Sequence, residues 1–266
     1  MAIMAVYNFN TALLRAPAKS VARGLRAVGG EDPNFDSIAS EHQSYVAALR
    51  TAGVEPIVLP ALEDFPDSIF VEDPALVFPE GAILLRPGAP SRRGEADEIA
   101  PVLYENFDTV LSLPEGGTVE GGDILTTPDK VMIGHSARTN QAGAKALQRL
   151  LTELGRKSEI VTTPEDVLHF KSDCSLLDEE TILATERLAQ SGVFHGFDVI
   201  KVPSGEEAAA NALRINDIVM VNNRHPRTID LLDQRQYKIE PIKTDQIAII
   251  DAGLSCMSLR WQSAAN

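Results

Sequence analysis

A short unit recurs along this chain: an acidic residue, an apolar strand, a tight turn, a second apolar strand and then a helix. The three clearest copies begin at equally spaced aspartates, Asp73, Asp123 and Asp173. A unit of this size cannot bury its apolar face alone, so its copies must pack against one another. The spacing therefore predicts repeated α/β modules rather than one continuous sheet.

Two further segments, residues 210–221 and 253–259, follow the same pattern less strictly. The second of them lacks a partner strand after it, and the apolar segment 10–15 can supply one. Pairing between the two ends of the chain would close the units into a ring. The sequence therefore predicts an α/β fold of about five modules around a central axis, as a single domain over residues 1–266.

Helices between the units are predicted from apolar positions at helical spacing and from capping residues. They cover residues 36–51, residues 94–106, a segment from a cap at 139 or 140 to 155, and residues 228–236. A doubly wound sheet is the alternative, and it would need a glycine-rich loop that opens a helix. The two glycine pairs at 116–117 and 121–122 precede strands instead, which argues against that alternative.

The composition excludes several classes of partner. The 38 acidic and 24 basic residues give a formal net charge of −14, which repels nucleic acids and anionic membranes. This acidity either serves solubility alone or in part suits a cationic small molecule. No segment approaches the ~20 apolar residues of a membrane span, and the start lacks the features of an export signal. With two cysteines and no disulfide scaffold, we expect a cytoplasmic protein with free thiols.

One of the two cysteines is a candidate nucleophile. The segment 249–257 reads as the end of an apolar strand followed by a glycine turn, and this turn presents Cys256. A cysteine beside a strand can equally be a small core residue. Cys174, the other cysteine, lies in a segment typical of an ordinary buried strand.

Polar residues at the starts of the units would meet at one end of the axis in such a ring. They are Glu72, Asp73, Glu120 and His169, and Cys256 lies in the last unit. Clustered carboxylates beside apolar strands need basic partners or a cationic ligand. Each residue also has a structural interpretation, as a turn cap, a solvated loop acid or a core histidine. No spacing of ligand-type residues predicts a metal site.

Six motifs, read in order, cover nearly the whole chain. They lie at residues 65–74, 91–95, 117–123, 136–140, 168–171 and 254–256. Together they resemble the dimethylarginine dimethylaminohydrolase (dimethylargininase) family. The resemblance implies the five-bladed α/β propeller (pentein) of the guanidine-modifying enzymes, with pseudo-fivefold symmetry. It also implies hydrolysis of methylated arginine to citrulline and a methylamine, through a covalent cysteine thiouronium intermediate and without a cofactor.

The same resemblance assigns roles to residues. Cys256 would be the nucleophile, His169 the general acid and base, and Glu120 the residue that orients His169. The residues that it implies in substrate binding are Leu25, Asp67, Phe70, Glu72, Asp73, Arg92, Arg138 and Ile250. The substrate would be a small cationic molecule, and a homodimer is one assembly that the chain could form.

The substrate-binding residues divide by chemistry. Glu72 and Asp73 would hold the guanidinium, while Arg92 and Arg138 would bind the substrate carboxylate. Three groups would take the amino end or the side-chain nitrogens: Asp67 and the backbone carbonyls of Leu25 and Ile250. Two features depart from the family pattern, namely Ala252, where a second glycine is common, and the flap around Leu25.

Two alternatives come from neighbouring classes. Arginine deiminases carry an aspartate two residues after the catalytic histidine and a large helical insertion, whereas this chain has Lys171 at that position and is short. A non-enzymatic propeller acting as a binding module would need none of the cysteine, histidine and glutamate set. The joint presence of Cys256, His169 and Glu120 therefore favours an enzyme.

Overall fold

Fifteen strands form five separate three-stranded sheets in the computed structural model, which describes residues 5–26, 30–164 and 167–263. In chain order the strands are β1 (Thr11–Arg15), β2 (Glu55–Leu59), β3 (Ala75–Phe78), β4 (Gly81–Leu84), β5 (Val110–Ser112), β6 (Ile124–Thr126), β7 (Val131–His135), β8 (Ser158–Thr162), β9 (Cys174–Leu176), β10 (Thr181–Ala184), β11 (Asp198–Lys201), β12 (Leu213–Ile215), β13 (Ile218–Asn222), β14 (Lys238–Ile242) and β15 (Leu259–Trp261). Each sheet joins an antiparallel pair to a third, parallel strand, so each is one blade of a propeller.

Each crossover to the third strand of a blade contains a helix, as parallel connections require. The helices are α1 (Phe35–Thr51), α2 (Glu95–Asn106), α3 (Gln141–Glu153), α4 (Glu186–Gln190), α5 (Pro226–Gln234) and α6 (Asp245–Ala248). Asn140 caps α3, since its side chain accepts the backbone N–H of Gly143. The α5 helix begins two residues earlier than predicted because Pro226 suits the first helical position.

The two ends of the described chain meet in one blade. Strand β15 pairs antiparallel with β1, with Leu259 opposite Leu13, and β1 runs parallel to β2. The predicted ring closure is therefore confirmed.

The apolar core lies between neighbouring blades. For example, Ala12 and Leu14 of β1 share a buried cluster with Ile215 and Met220 of the blade before. The same holds for Cys174, which packs in a cluster built from two blades and is 1% exposed. Cys174 is thus an ordinary core residue, as predicted.

At the start of three units, a polar side chain accepts a backbone N–H from the following unit and so links one blade to the next. These contacts are Asp73 from Gly122 (3.0 Å), Asp123 from Phe170 (2.9 Å), and Asn211 from Ser255 (3.0 Å). Asp173 instead accepts the hydroxyl of Thr185 within its own blade. The repeated contact gives a physical reason for an acid or amide at the start of a unit.

One local prediction is wrong. Ile249 and Ile250 do not form a strand but continue the turn after α6. The carboxylate of Glu41 accepts the backbone N–H groups of Gln246 and Ile247, which starts a helix there. Within the described residues, no helix is long and apolar enough to cross a bilayer.

Candidate active site

A cavity of about 150 Å³ opens at one end of the axis, where the innermost strands of the ring, among them β3, β6, β9 and β15, begin. Ten of the eleven residues assigned to a site from the sequence line it: Leu25, Asp67, Phe70, Asp73, Arg92, Glu120, Arg138, His169, Ile250 and Cys256. Residues from separate units therefore converge as expected. Glu72 is the exception.

Cys256 lies in a short 3-10 helix, Ser255–Met257, just before β15. The preceding turn packs tightly on Asn211, because a Cβ atom on Gly253 would lie 2.2 Å from its side chain. Glycine is thus required here by close approach. Burial and the carboxylates of Glu72 and Asp73 raise the pKa of the Cys256 thiol to about 12. The thiol is therefore protonated at neutral pH when no substrate is bound.

His169 and Glu120 form a hydrogen-bonded pair in the same cavity as the cysteine. The Nε2 atom of His169 lies 2.6 Å from Oε2 of Glu120, and the other oxygen of Glu120 accepts the backbone N–H of Ala89 at 3.1 Å. Gly122 leaves space for the imidazole, since a Cβ atom there would lie 2.9 Å from the ring. The orientation of the ring is therefore determined from two sides.

Arg92 lines the cavity, is held by several partners and is 4% exposed. It pairs with the carboxylates of Asp73 and Glu95, and it donates to the backbone carbonyl of Phe70 at 2.9 Å. Burial alone would raise the pKa of the Asp73 carboxyl, but Arg92 and His169 lower it below its usual range. Asp73 is thus an anion facing the cavity, and Arg92 keeps few N–H groups for a ligand.

Arg138 is the more available cation. Its side chain is 24% exposed, and its contact with the carboxylate of Glu120 is long, at 3.4 Å. At the rim, the backbone N–H of Leu25 donates to Asp67 at 2.8 Å, and burial raises the pKa of Asp67. Arg26 also lines the cavity and pairs with Asp32 at 2.6 Å.

Arg26 and three other lining residues were missed by the sequence analysis. The other three are Leu168, Asp251 and Ala252. Arg26, Leu168 and Asp251 each adjoin an assigned residue in the chain, and Ala252 lies two residues after Ile250. This proximity in the sequence is the one signal that could have indicated them. Of the flap, residues 27–29 lie outside the described residues.

Glu72 does not line this cavity, although Asp73 beside it does. Its carboxylate pairs with Lys171, accepts an N–H of Arg260 at 3.1 Å, and accepts the hydroxyl of Ser255 at 2.9 Å. The structure thus separates Glu72 from Asp73, with which we expected it to hold a guanidinium. The two residues lie in the turn that precedes β3, and within this turn the neighbouring side chains reach different partners.

Three side chains in the cavity stand close enough to share an ion. One ligand atom each from Asp73, Glu120 and His169 lies within 4.8 Å of the others. These groups already satisfy one another, since Glu120 binds His169 and Arg92 neutralises Asp73. A metal ion would have to displace these contacts.

Comparison with known proteins agrees with this geometry. The sequence profile described as "N,N dimethylarginine dimethylhydrolase, eukaryotic" matches residues 29–163. The N(G),N(G)-dimethylarginine dimethylaminohydrolase of Pseudomonas aeruginosa is 36% identical over 254 residues, covering 95% of this chain and all of the relative. A structure of the P. aeruginosa enzyme, a cysteine-to-serine variant complexed with citrulline, superposes with a TM-score of 0.92 over 96% of this chain and all of that one.

A more distant structure shares the fold alone. The N-terminal domain of ArgZ, a cyanobacterial arginine dihydrolase, gives a TM-score of 0.82 at 17% identity, covering 94% of this chain and 96% of that one. The five blades with an axial cavity define a pentein, a five-bladed α/β propeller. Within that class, the chain belongs to the dimethylarginine dimethylaminohydrolase family.

Proposed function

We propose that this protein hydrolyses Nω-methylated arginine, either asymmetric dimethylarginine or monomethylarginine, to citrulline and the corresponding methylamine. The observation that carries this proposal is the placement of Cys256, His169 and Glu120 in one cavity beside the anionic Asp73. The family membership supports it, because the relative with 36% identity bears the name of this activity.

Substrate binding activates the nucleophile in this scheme. With a pKa of about 12, the Cys256 thiol is protonated in the empty site. A guanidinium bound against Asp73 brings a positive charge beside the sulfur and offsets the carboxylates that disfavour the thiolate. The thiol then loses its proton to water only when a cationic substrate is in place.

His169 acts first as an acid and then as a base. The thiolate attacks the guanidinium carbon, and a carbon–sulfur bond forms in a tetrahedral adduct. The protonated His169 gives its proton to the departing methylamine nitrogen as the carbon–nitrogen bond breaks, which leaves an S-alkylthiouronium. Neutral His169 then takes a proton from water, the oxygen attacks the same carbon, and breaking of the carbon–sulfur bond releases citrulline.

The rest of the cavity would bind the amino-acid end of the substrate. Arg138 offers a partly exposed guanidinium to the carboxylate, with any remaining N–H of Arg92 as its companion. Asp67 suits the α-amino group, together with the backbone carbonyls of Leu25 and Ile250. Phe70 would cover the aliphatic chain.

Two finer expectations accompany this function. Both cysteines are free, which is in keeping with a reducing, cytoplasmic compartment. A homodimer is an assembly that light scattering of the purified protein can test.

The deciding experiment is a citrulline assay. Purified protein is incubated with asymmetric dimethylarginine, monomethylarginine or arginine, and both citrulline and the released amine are measured. We expect one amine per citrulline and no turnover by the Cys256→Ser variant. A pure wild-type protein that forms no citrulline from either methylated substrate would overturn the proposal.

A further inference from the structure

The axis of the propeller contains a second cavity, separate from the proposed active site. It encloses about 220 Å³ against about 150 Å³ for the first, and the described residues that line the two cavities do not overlap. All five innermost strands, β3, β6, β9, β12 and β15, contribute to its wall. Glu72 and Ser255 in its wall each adjoin, in the chain, a residue of the catalytic cavity, namely Asp73 and Cys256. The second cavity is therefore an axial chamber beyond the catalytic end.

The charge of this chamber is opposite to that of the whole protein. Its described lining includes four cations, Arg156, Lys171, Arg214 and Arg260, and one carboxylate, Glu72. The formal net charge of the chain is −14. A local surplus of positive charge in an acidic protein attracts anions to that place.

Three of these cations are already paired. Lys171 and Arg260 share the carboxylate of Glu72. Arg156 binds Glu80 at 2.7 Å. The pairing leaves Arg214 as the cation in this wall that has no ion pair within the described residues.

Arg214 is also held in place, by its Nε atom and by a contact with an aromatic ring, and not by hydrogen bonds from its terminal nitrogens. Its Nε donates to the backbone carbonyl of Asn216 at 2.7 Å, and its guanidinium lies 4.9 Å from the ring centroid of Tyr7. Among the described residues, the two terminal nitrogens make no hydrogen bond. A fixed guanidinium with free terminal N–H groups is suited to forked binding of a carboxylate.

The remaining wall is largely apolar. Leu76, Leu176, Leu213 and Trp261 line the chamber around the cations. The volume is smaller than the roughly 300–1,000 Å³ of pockets for drug-sized ligands. A ligand that uses both features must be small, anionic at one end and apolar at the other.

We propose that this chamber binds a small organic carboxylate with an apolar or aromatic body, and that Arg214 binds its carboxylate. The site lies outside the catalytic cavity, and the apolar body of its ligand distinguishes that ligand from an arginine derivative, which carries a polar group at the end of its side chain. A fully hydrated inorganic anion would leave the apolar wall unused.

The chain provides its own reporter for a test that does not depend on turnover. Trp261 is the single tryptophan and lines this chamber but not the catalytic cavity. Titration of the full-length protein with 3-phenylpropionate should change the emission of Trp261 in a saturable way. The neutral analogue 3-phenylpropanol and inorganic phosphate should each bind at least about tenfold more weakly. The alcohol lacks the carboxylate that Arg214 would bind, and phosphate lacks the apolar body that the wall would contact.

The matched variants are Arg214→Met and Arg235→Met. The first removes the charge from the chamber and should weaken 3-phenylpropionate at least about tenfold. The second removes an exposed arginine at the C-terminal end of α5, which does not line the chamber and whose contact with Asp198 is 3.5 Å long, and it should leave the affinity unchanged. Equal melting temperatures of the two variants would show that folding is intact.

Three outcomes would overturn the proposal. They are equal affinity for 3-phenylpropanol or phosphate on the wild type, affinity of Arg214→Met within threefold of the wild type, and no saturable response of Trp261. The comparison of ligands on the wild type needs no variant, so the proposal stays testable even if Arg214→Met does not fold.

Discussion

The Nε2 atom of His169 lies 2.6 Å from the Oε2 atom of Glu120, a side chain that solvent does not reach. Burial by itself lowers the pKa of His169, but this hydrogen bond and the nearby carboxylates of Asp73 and Asp123 raise it to about 9. His169 is therefore cationic at neutral pH in the empty site. This is the protonation state that a general acid needs before the reaction begins.

The first prediction concerns the pH dependence of stability. The pKa of His169 in the folded protein, about 9, exceeds the ordinary value of 6.5. Its contribution to the free energy of unfolding is therefore fully present below pH 6.5 and is lost as the pH rises through 9. Glu120→Gln removes the charge of the partner, so the fall in stability over this window should be smaller in the variant. Urea unfolding at a series of pH values measures both slopes.

The control for this comparison is Glu159→Gln, which changes a half-exposed carboxylate on β8 that pairs with Lys130. Titration of the Cys256 thiol does not contribute between pH 6.5 and 9. Its pKa is raised from 9.0 to about 12, so its contribution to the free energy of unfolding changes only above pH 9. NMR titration of the His169 ring gives an independent reading. An unchanged pKa of His169 in Glu120→Gln would contradict the role given to this pair.

The second prediction concerns the two cysteines. A haloacetamidine carries a cationic amidine that mimics the guanidinium, so it should alkylate Cys256 in the cavity and spare Cys174. Cys174 is 1% exposed, and burial raises its pKa well above the ordinary value. Mass spectrometry of the digested protein locates the adduct. Retention of wild-type turnover by Cys256→Ser, or its loss in Cys174→Ala that still folds, would contradict the assignment.

Arg138 provides the third prediction. Loss of a charge-assisted contact to the substrate carboxylate should lower kcat/KM of Arg138→Ala about a hundredfold. Agmatine lacks this carboxylate, so it should be a poor substrate and should react equally with wild type and variant. Steady-state kinetics with both compounds checks this. A change below threefold with the amino-acid substrate would remove Arg138 from the binding site.

Arg92 should behave differently, although it lines the same cavity. It is 4% exposed and pairs with Asp73 and Glu95, so Arg92→Ala leaves buried carboxylates without their partner. We expect a loss of about 3–5 kcal/mol in the free energy of unfolding. Arg138→Ala, at a partly exposed position, is the matched control and should lose less than about 1 kcal/mol. Equal stabilities of the two variants in urea would contradict this division of roles.

The fifth prediction is a preference for methylated arginine over arginine. Lys171 stands two residues after His169, where deiminases carry an aspartate, and its amine pairs with Glu72 outside the catalytic cavity. Position 171 therefore offers no carboxylate that would bind an unsubstituted guanidinium nitrogen. Methyl groups in an apolar pocket contribute about 1–3 kcal/mol, so we expect a kcat/KM ratio of about ten to a hundred. A kcat/KM for arginine equal to or greater than that for the methylated substrates would favour the deiminase alternative.

The repeat and the closure of the ring were both readable from the sequence. A unit of two short apolar strands and a helix has one way to bury its face, which is against another copy, so the equal spacing of Asp73, Asp123 and Asp173 already implied blades. The N-terminal segment was likewise the available partner for the unpaired strand β15. Helix ends were less certain because several residues near each end can cap it, as with Thr139 and Asn140.

Most of the residues that line the catalytic cavity could also be predicted from the sequence, because residues at equivalent places in repeated units meet at one end of the axis. Cys256, His169 and Glu120 were identified in this way and through the motifs that contain them. Their distances, and hence the pKa of His169, depend on side chains from three units and were outside the reach of any local pattern.

Only the tertiary structure decided which of the two cavities along the axis each charged side chain lines. Glu72 and Asp73 are adjacent in sequence, yet Asp73 faces the catalytic cavity while Glu72 faces the axial chamber. Likewise, the sequence predicted a strand at Ile250. The distant carboxylate of Glu41 instead caps α6, and Ile250 lies in the turn after that helix. Sequence patterns report which residues must be buried, because burial follows from local periodicity. They do not report which distant groups pair, because pairing depends on long-range geometry that the whole ring creates.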